Sequence, residues 1–215
     1  MGRPSRNVDA ALLRAGRALY PTTGIRGLSV RKVAERAGVN VAMFHYHFGS
    51  KEKFVGVLLG QLYDAMFERL SLAADGDAPL PALRRALLVL AHFARDHRAV
   101  LRRILLDALA GEPVAVEFAR VNLPRHLRVV AGLVRAGQAC GALRDIAPLQ
   151  ALALLAGSIG GPILLGTAVT ENPGVPRALR GAFENEVLGD AALAERVDLV
   201  LAALAAPNGR KRKAA

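Results

Sequence analysis

Five consecutive rings, Phe44, His45, Tyr46, His47 and Phe48, crowd a chain whose aromatic content is only 5%. They lie in GVNVAMFHYHFGSKEK, residues 38–53, between a glycine and a Lys-Glu-Lys cluster. A helix of 3.6 residues per turn cannot point all five inward. Val39, Phe44 and Phe48, five and four apart, can pin a short helix to its neighbours. Val41, Ala42, Met43, His45 and Tyr46 are then left outward. That surface is short and weakly charged, and it suits base edges and thymine methyls in a DNA major groove. His47, Lys51 and a helix N-terminus at Ser50 are placed to meet phosphate oxygens.

Other chemistries find little support. His45 and His47 are two apart, so on a helix they diverge and do not chelate a metal. His92 and Asp96, one turn apart, suit a metal pair but read better as a surface hydrogen bond. Cys140 is the single cysteine, which rules out an internal disulfide or a thiolate cluster; it reads as a small apolar residue. There is no glycine-rich phosphate loop, no His-x-x-x-His pair and no pair of carboxylates on an apolar helical face. Ser29 and Ser158 have no histidine near them in sequence. We therefore expect no catalytic residue, metal or cofactor.

Charge narrows the partner. The net charge is +11, but residues 1–53 hold ten Lys/Arg against three acids, and Arg210–Lys213 adds four more bases. Residues 54–206 have fifteen of each sign. A basic first quarter on a neutral body points to a polyanion. The rival is acidic lipid, giving a basic membrane-surface helical protein. Val8–Leu19 is too small and alanine-rich for a membrane-surface helix, so DNA is preferred.

The elements that must position these residues are helical, with no convincing two-residue alternation. Val8, Ala11, Leu12, Ala15 and Leu19 share a face, with Pro21 expected to stop the helix. Ser29 caps a second helix with Val30, Val33, Ala34 and Ala37 on one side and Gly38 at its end. Asn40 caps a third helix to about Phe48, and Ser50 a fourth. Further helices are expected at 80–96, 98–110, 113–138, 148–168 and 190–205, with a loop at Pro173–Pro176. The fold class is all-α: a helix-turn-helix DNA-binding domain (1–53), a helical ligand-binding and dimerisation domain (54–206) and a disordered basic tail (207–215). The tail is either simply solvated or a source of non-specific attraction to DNA. The opening carries no apolar signal core.

Gly24, Ser29-Val30-x-x-Val33-Ala34-x-x-Ala37-Gly38-Val39 and Phe44-x-x-His47-Phe48-x-Ser50-Lys51-Glu52 together resemble the TetR family of bacterial transcriptional repressors. A shorter echo follows at Gly137-Gln138-x-x-Gly141-x-Leu143-Arg144. The family usually has Tyr where His45 stands and a small residue such as Thr where Met43 stands. The resemblance implies a cytoplasmic homodimer that binds a near-palindromic operator and is released from it by a small molecule. On this resemblance the phosphate contacts fall to Arg3 and Arg6 of a basic arm, Ser29, His47 and Lys51. Arg31, Asn40, Val41, Ala42, Met43, His45 and Tyr46 complete the DNA-binding set.

For the body, the resemblance implies a ligand pocket and a four-helix dimer interface. The ligand candidates are Gln61, Tyr63, Met66, Phe67, His92, Phe93, Phe118, Asn122 and His126, polar or bulky residues amid apolar runs. The neutral Leu/Ala/Val lining favours a hydrophobic or amphipathic effector. Residues 146–170 carry no charge and are long enough to span a bilayer. Pro148, Pro162 and four glycines favour a soluble helix buried on several sides. Gly157, Gly161 and Leu164, with Leu193, Val197, Val200, Leu201 and Leu204 of the last helix, are the expected interface.

Overall fold

The computed structural model describes residues 6–76 and 78–207, with side chains from Val8 onward. Arg3, the Arg6 side chain and the Arg210–Lys213 run lie outside the described residues. The chain forms α1 (Arg6–Gly27), α2 (Val30–Arg36), α3 (Val41–Phe48), α4 (Lys51–Ala74), α5 (Pro79–Asp96), α6 (Arg98–Leu109), α7 (Pro113–Ala139), α8 (Pro148–Leu155), α9 (Gly161–Thr170), α10 (Arg177–Glu186) and α11 (Asp190–Leu204). A π-helical turn, Ala156–Gly160, joins α8 to α9. Among the described residues the sole extended pairing is an antiparallel bridge between Leu143 and Ala205. The expected all-α class holds.

The chain divides into two compact units, 1–65 with 97–123, and 66–96 with 124–215. The first unit thus joins α6 and the start of α7 to the helices of the DNA-facing region, a grouping by contact. The sequence-based division at 53/54 follows charge and motif instead.

In the first unit, Leu12, Tyr20, Val33, Phe44, Phe54, Leu58 and Leu59 are buried together with Ile104 of α6. Pro21 does not stop α1. The helical path continues past it, and the break falls at Gly24, with φ +62° and ψ −172°. A side chain there would be strained twice, by the left-handed φ and by the Arg103 guanidinium pressed against the position. Leu12, Leu13 and Ala15 are spent in this core, so α1 has no free apolar face to lay on a bilayer.

In the second unit, α5, α8, α9 and α11 enclose Leu83, Leu87, Leu155, Ile159, Ile163, Leu193 and Val197. The loop expected at Pro173–Pro176 holds, but α10 follows it where no helix was expected, and its Phe183 lies across Gly166 where a Cβ would collide with the ring. The 148–170 helix is not buried on several sides. Ala151, Leu155, Ile159 and Ile163 face the core, while Leu149, Leu154 and Leu165 are exposed. By length and composition alone it could cross a membrane; one such helix also fits a soluble protein.

Candidate nucleic-acid interface

The turn between α2 and α3 is closed by backbone chemistry. Ser29 Oγ accepts from Lys32 N at 3.4 Å and starts α2. At its end, Gly38 takes φ +70°. Its N–H donates to Glu35 O (3.1 Å) and that of Val39 to Ala34 O (3.0 Å), a Schellman closure that reverses the chain in few residues. Asn40 Oδ1 then accepts from Met43 N at 3.0 Å and starts α3. Ser50 Oγ accepts from Lys53 N at 3.2 Å in the first turn of α4.

An aromatic wedge fixes the rotation of α3. Phe44 is 0% exposed, its ring centroid 5.0 Å from Phe54 and 5.7 Å from Phe48; Phe48 and Phe54 are 4.9 Å apart. Val39 packs beside them. With Phe44 held inward, Val41, Ala42, His45 and Tyr46 are exposed, Tyr46 at 69%, and Met43 is half-buried. Asn40, Arg31 and Lys32 are exposed and Ser29 half-buried.

Two expected phosphate contacts look different in detail. His47 stacks edge-on against Tyr46 at 5.3 Å, and its Nε2 is shielded without a partner. Lys51 Nζ donates to Arg26 O at 3.5 Å, a contact weak enough to release.

Sequence reasoning missed the brace behind this surface. Asp107 of α6, 1% exposed, accepts from Tyr20 OH (2.9 Å), Ile25 N (3.1 Å) and Arg103 Nε (3.0 Å), with Arg103 Nη2 beside it. Burial pushes the Asp107 carboxyl up, but the hydrogen bonds from Arg103, Ile25 and Tyr20 outweigh it and hold the group below the usual carboxylate range. Burial and then the bond to Asp107 push the Tyr20 hydroxyl far up. Glu112, just before α7, pairs with Arg26. Two acids from residues 107–112 therefore hold Ile25 and Arg26, the backbone that leads into α2. Nothing in local sequence announces contacts 82 and 87 residues long.

The ligand candidates fall in both units. In the first, Tyr63 OH donates to Asn122 O at 2.7 Å and its ring meets Phe118 edge-on at 6.0 Å. Gln61 does not line an apolar cavity. It is exposed, accepts from Arg17 at 3.0 Å, and borders an open cleft of about 280 Å³ with Asp9 and Arg14. In the second, Arg125 lies 4.3 Å over the Phe67 ring, Met66 is buried, and Phe93 and His126 are half-buried. His92 Nε2 is 3.6 Å from Asp190 Oδ1, so its acidic neighbour is Asp190; Asp96 pairs with Arg95.

On α11, Leu193, Val197, Val200, Leu201 and Leu204 are at most 9% exposed and pack in the core of the second unit. An apolar stripe marks a buried face but does not say whose core it joins. Gly157 is exposed, and Gly161 and Leu164 are half-buried.

A capped helix, a Schellman turn and a second capped helix with its outer face free define a helix-turn-helix DNA-binding protein. Residues 12–57 match the sequence model of bacterial regulatory proteins, tetR family. The chain is 28% identical over 144 residues to the transcriptional regulator RutR of Escherichia coli K12, covering 64% of this chain and 68% of that one. It is 35% identical over 107 residues to the transcriptional repressor Rv3405c of Mycobacterium tuberculosis, half of each chain. The fold matches the ketosteroid transcriptional regulator KstR2 of Mycobacterium tuberculosis (TM-score 0.66, 19% identity, 96% and 98% covered). It also matches PfmR of Thermus thermophilus (TM-score 0.65, 21% identity, 89% and 97% covered). Residues 12–57 thus carry the DNA-binding signature of the tetR family, and the chain has the fold of such regulators.

Proposed function

We propose that the protein is a cytoplasmic, dimeric repressor that sets α3 of each subunit in a major groove and leaves its operator when a small apolar or amphipathic molecule binds. The observation that carries this is the rotation of α3: Phe44 is locked inward while Val41, Ala42, His45 and Tyr46 stand free. Residues 41–46 would choose the sequence, and Ser29, Lys51, His47 and the Arg3–Arg6 arm would supply phosphate affinity. Repression draws on the name of the M. tuberculosis relative, and the apolar effector on that of the ketosteroid regulator.

A second copy fits the exposed leucines of α8 and α9. Leu165, 73% exposed, Leu149 and Leu154 stand exposed along a helical stretch without charge, and Leu199 of α11 adds to the exposed apolar surface of the same unit. Domain roles follow the same reading: residues 1–53 for DNA, 54–206 for ligand and pairing. The brace from Asp107 and Glu112 to Ile25 and Arg26 supports a link between α6 and the pose of α2.

The test is selection from a random duplex library. An enriched near-palindrome, with half-sites one or more helical turns apart, is expected from a symmetric pair of reading helices. Enrichment of no sequence would contradict the reading.

Two variants separate affinity from choice. Lys51→Ala should weaken binding to every duplex and flatten the log–log salt dependence by about one unit per subunit. An unchanged slope in a salt titration would remove Lys51 from the contacts. Tyr46→Ala should leave thermal stability within about 0.5 kcal/mol, as the side chain is largely exposed. It should reorder affinity among single-base operator variants, and a uniform loss across them would assign Tyr46 to the backbone.

A further inference from the structure

Resting on the reading of α3 as the DNA-facing helix, we propose that His45 makes DNA binding proton-linked: its ring takes a proton from solvent as it docks on a backbone phosphate. His45 Nδ1 lies 3.1 Å from the carbonyl oxygen of Gly49, at the end of its own helix. A carbonyl oxygen only accepts, so while this contact is kept Nδ1 carries the hydrogen and the neutral ring has its lone pair on Nε2; the other neutral tautomer gives the contact up. Phosphate oxygens also only accept. A neutral His45 would therefore set lone pair against lone pair. One proton added to Nε2 turns it into a donor and makes the contact charge-assisted. Histidine is the side chain in which this change falls between pH 5 and 8.

A phosphate contact takes His45 out of the base-reading set: its ring stands in the last turn of α3 with Nδ1 turned back to the Gly49 carbonyl at the helix end. A helix C-terminus favours a cation. Charged and titratable groups come from each element packed around α3. Asp9, Arg14, Arg17, Tyr20 and Arg26 lie on α1. Arg31, Lys32, Glu35 and Arg36 lie on α2. Lys51, Glu52 and Lys53 open α4, and Tyr46 and His47 share α3. Among the described residues none of these forms an ion pair with His45, so a phosphate would be its first anionic partner.

The experiment follows fluorescence anisotropy of the library-selected duplex from pH 6 to 8 at constant salt, with wild type, His45→Gln and His47→Gln. Wild-type Kd should rise several-fold between pH 7 and 8, with ceilings of about 10-fold for one proton and about 100-fold for two per dimer. His45→Gln supplies an N–H donor that needs no proton. It should lose most of that slope and bind at pH 8 at least as tightly as wild type, while His47→Gln, itself short of a phosphate contact, should bind more weakly at every pH with the slope intact. Equal slopes in wild type and His45→Gln, a slope lost in His47→Gln instead, or loss of binding by folded His45→Gln at every pH would each overturn the proposal. An altered ranking of base variants with the slope retained would make His45 a base reader and also overturn it. Failure of wild type to bind any duplex at any pH would instead sink the DNA-binding reading beneath it.

Discussion

Asp107→Ala is expected to lower the stability of the protein by roughly 3–5 kcal/mol, the cost of breaking a buried, paired charge. Its carboxylate is buried and satisfies the Tyr20 hydroxyl, the Ile25 N–H and the Arg103 guanidinium at once. Removing it strands a hydroxyl and an amide inside the unit and leaves a cation without its partner. At about 2–4 °C per kcal/mol for a chain of this size, the melting temperature should fall by roughly 10 °C. Thermal denaturation followed by circular dichroism checks this, and a loss under about 1 kcal/mol would contradict it.

The same network sets an acid limit. The folded carboxyl titrates below its unfolded value, so its contribution is fully present above the unfolded pKa, near 4. It is lost as pH falls through the lower, folded value. Asp107→Ala should therefore be the less stable protein at pH 7, with the gap closing below about pH 4. Because Ile25 precedes α2, DNA affinity should fall in the variant even at temperatures where it stays folded.

Phe44→Ala is the second large effect, at about 3–5 kcal/mol for a fully buried phenylalanine. Its ring touches Phe48 and Phe54, and α3 is only eight residues long, too short to hold itself together without packing. Loss of DNA binding should accompany loss of stability. Phe44→Leu refills most of the volume and should recover much of both, on the same melting and anisotropy measurements. Full DNA affinity in Phe44→Ala would mean that the wedge does not set the pose of α3.

Much of this surface was legible in the sequence because its determinants are local. Ser29, Asn40 and Ser50 act within three residues, and Gly38 is placed by the helix it ends. The spacing of Val39, Phe44 and Phe48 separated inside from outside over a single helix. Legibility failed where the deciding partner is distant. Pro21 is a strong helix breaker in isolation, yet the break sits at Gly24, where Asp107 captures the next amide and Arg103 fills the space. The α11 leucines displayed their periodicity plainly, but one subunit's core and a partner's surface look alike in a stripe. The polar candidates of the body were separated by their contacts: Tyr63 and Asn122 bond each other, and Gln61 faces Arg17.

The central claim is sequence-specific DNA recognition by α3, and one titration tests it most directly. The protein would be titrated against its library-selected duplex and a shuffled copy of the same composition, at two salt concentrations. Binding at least about 10³-fold tighter to the selected duplex at near-physiological salt is the predicted result. Equal and equally salt-dependent affinity for both would contradict it, reducing the surface to a basic face that meets phosphate.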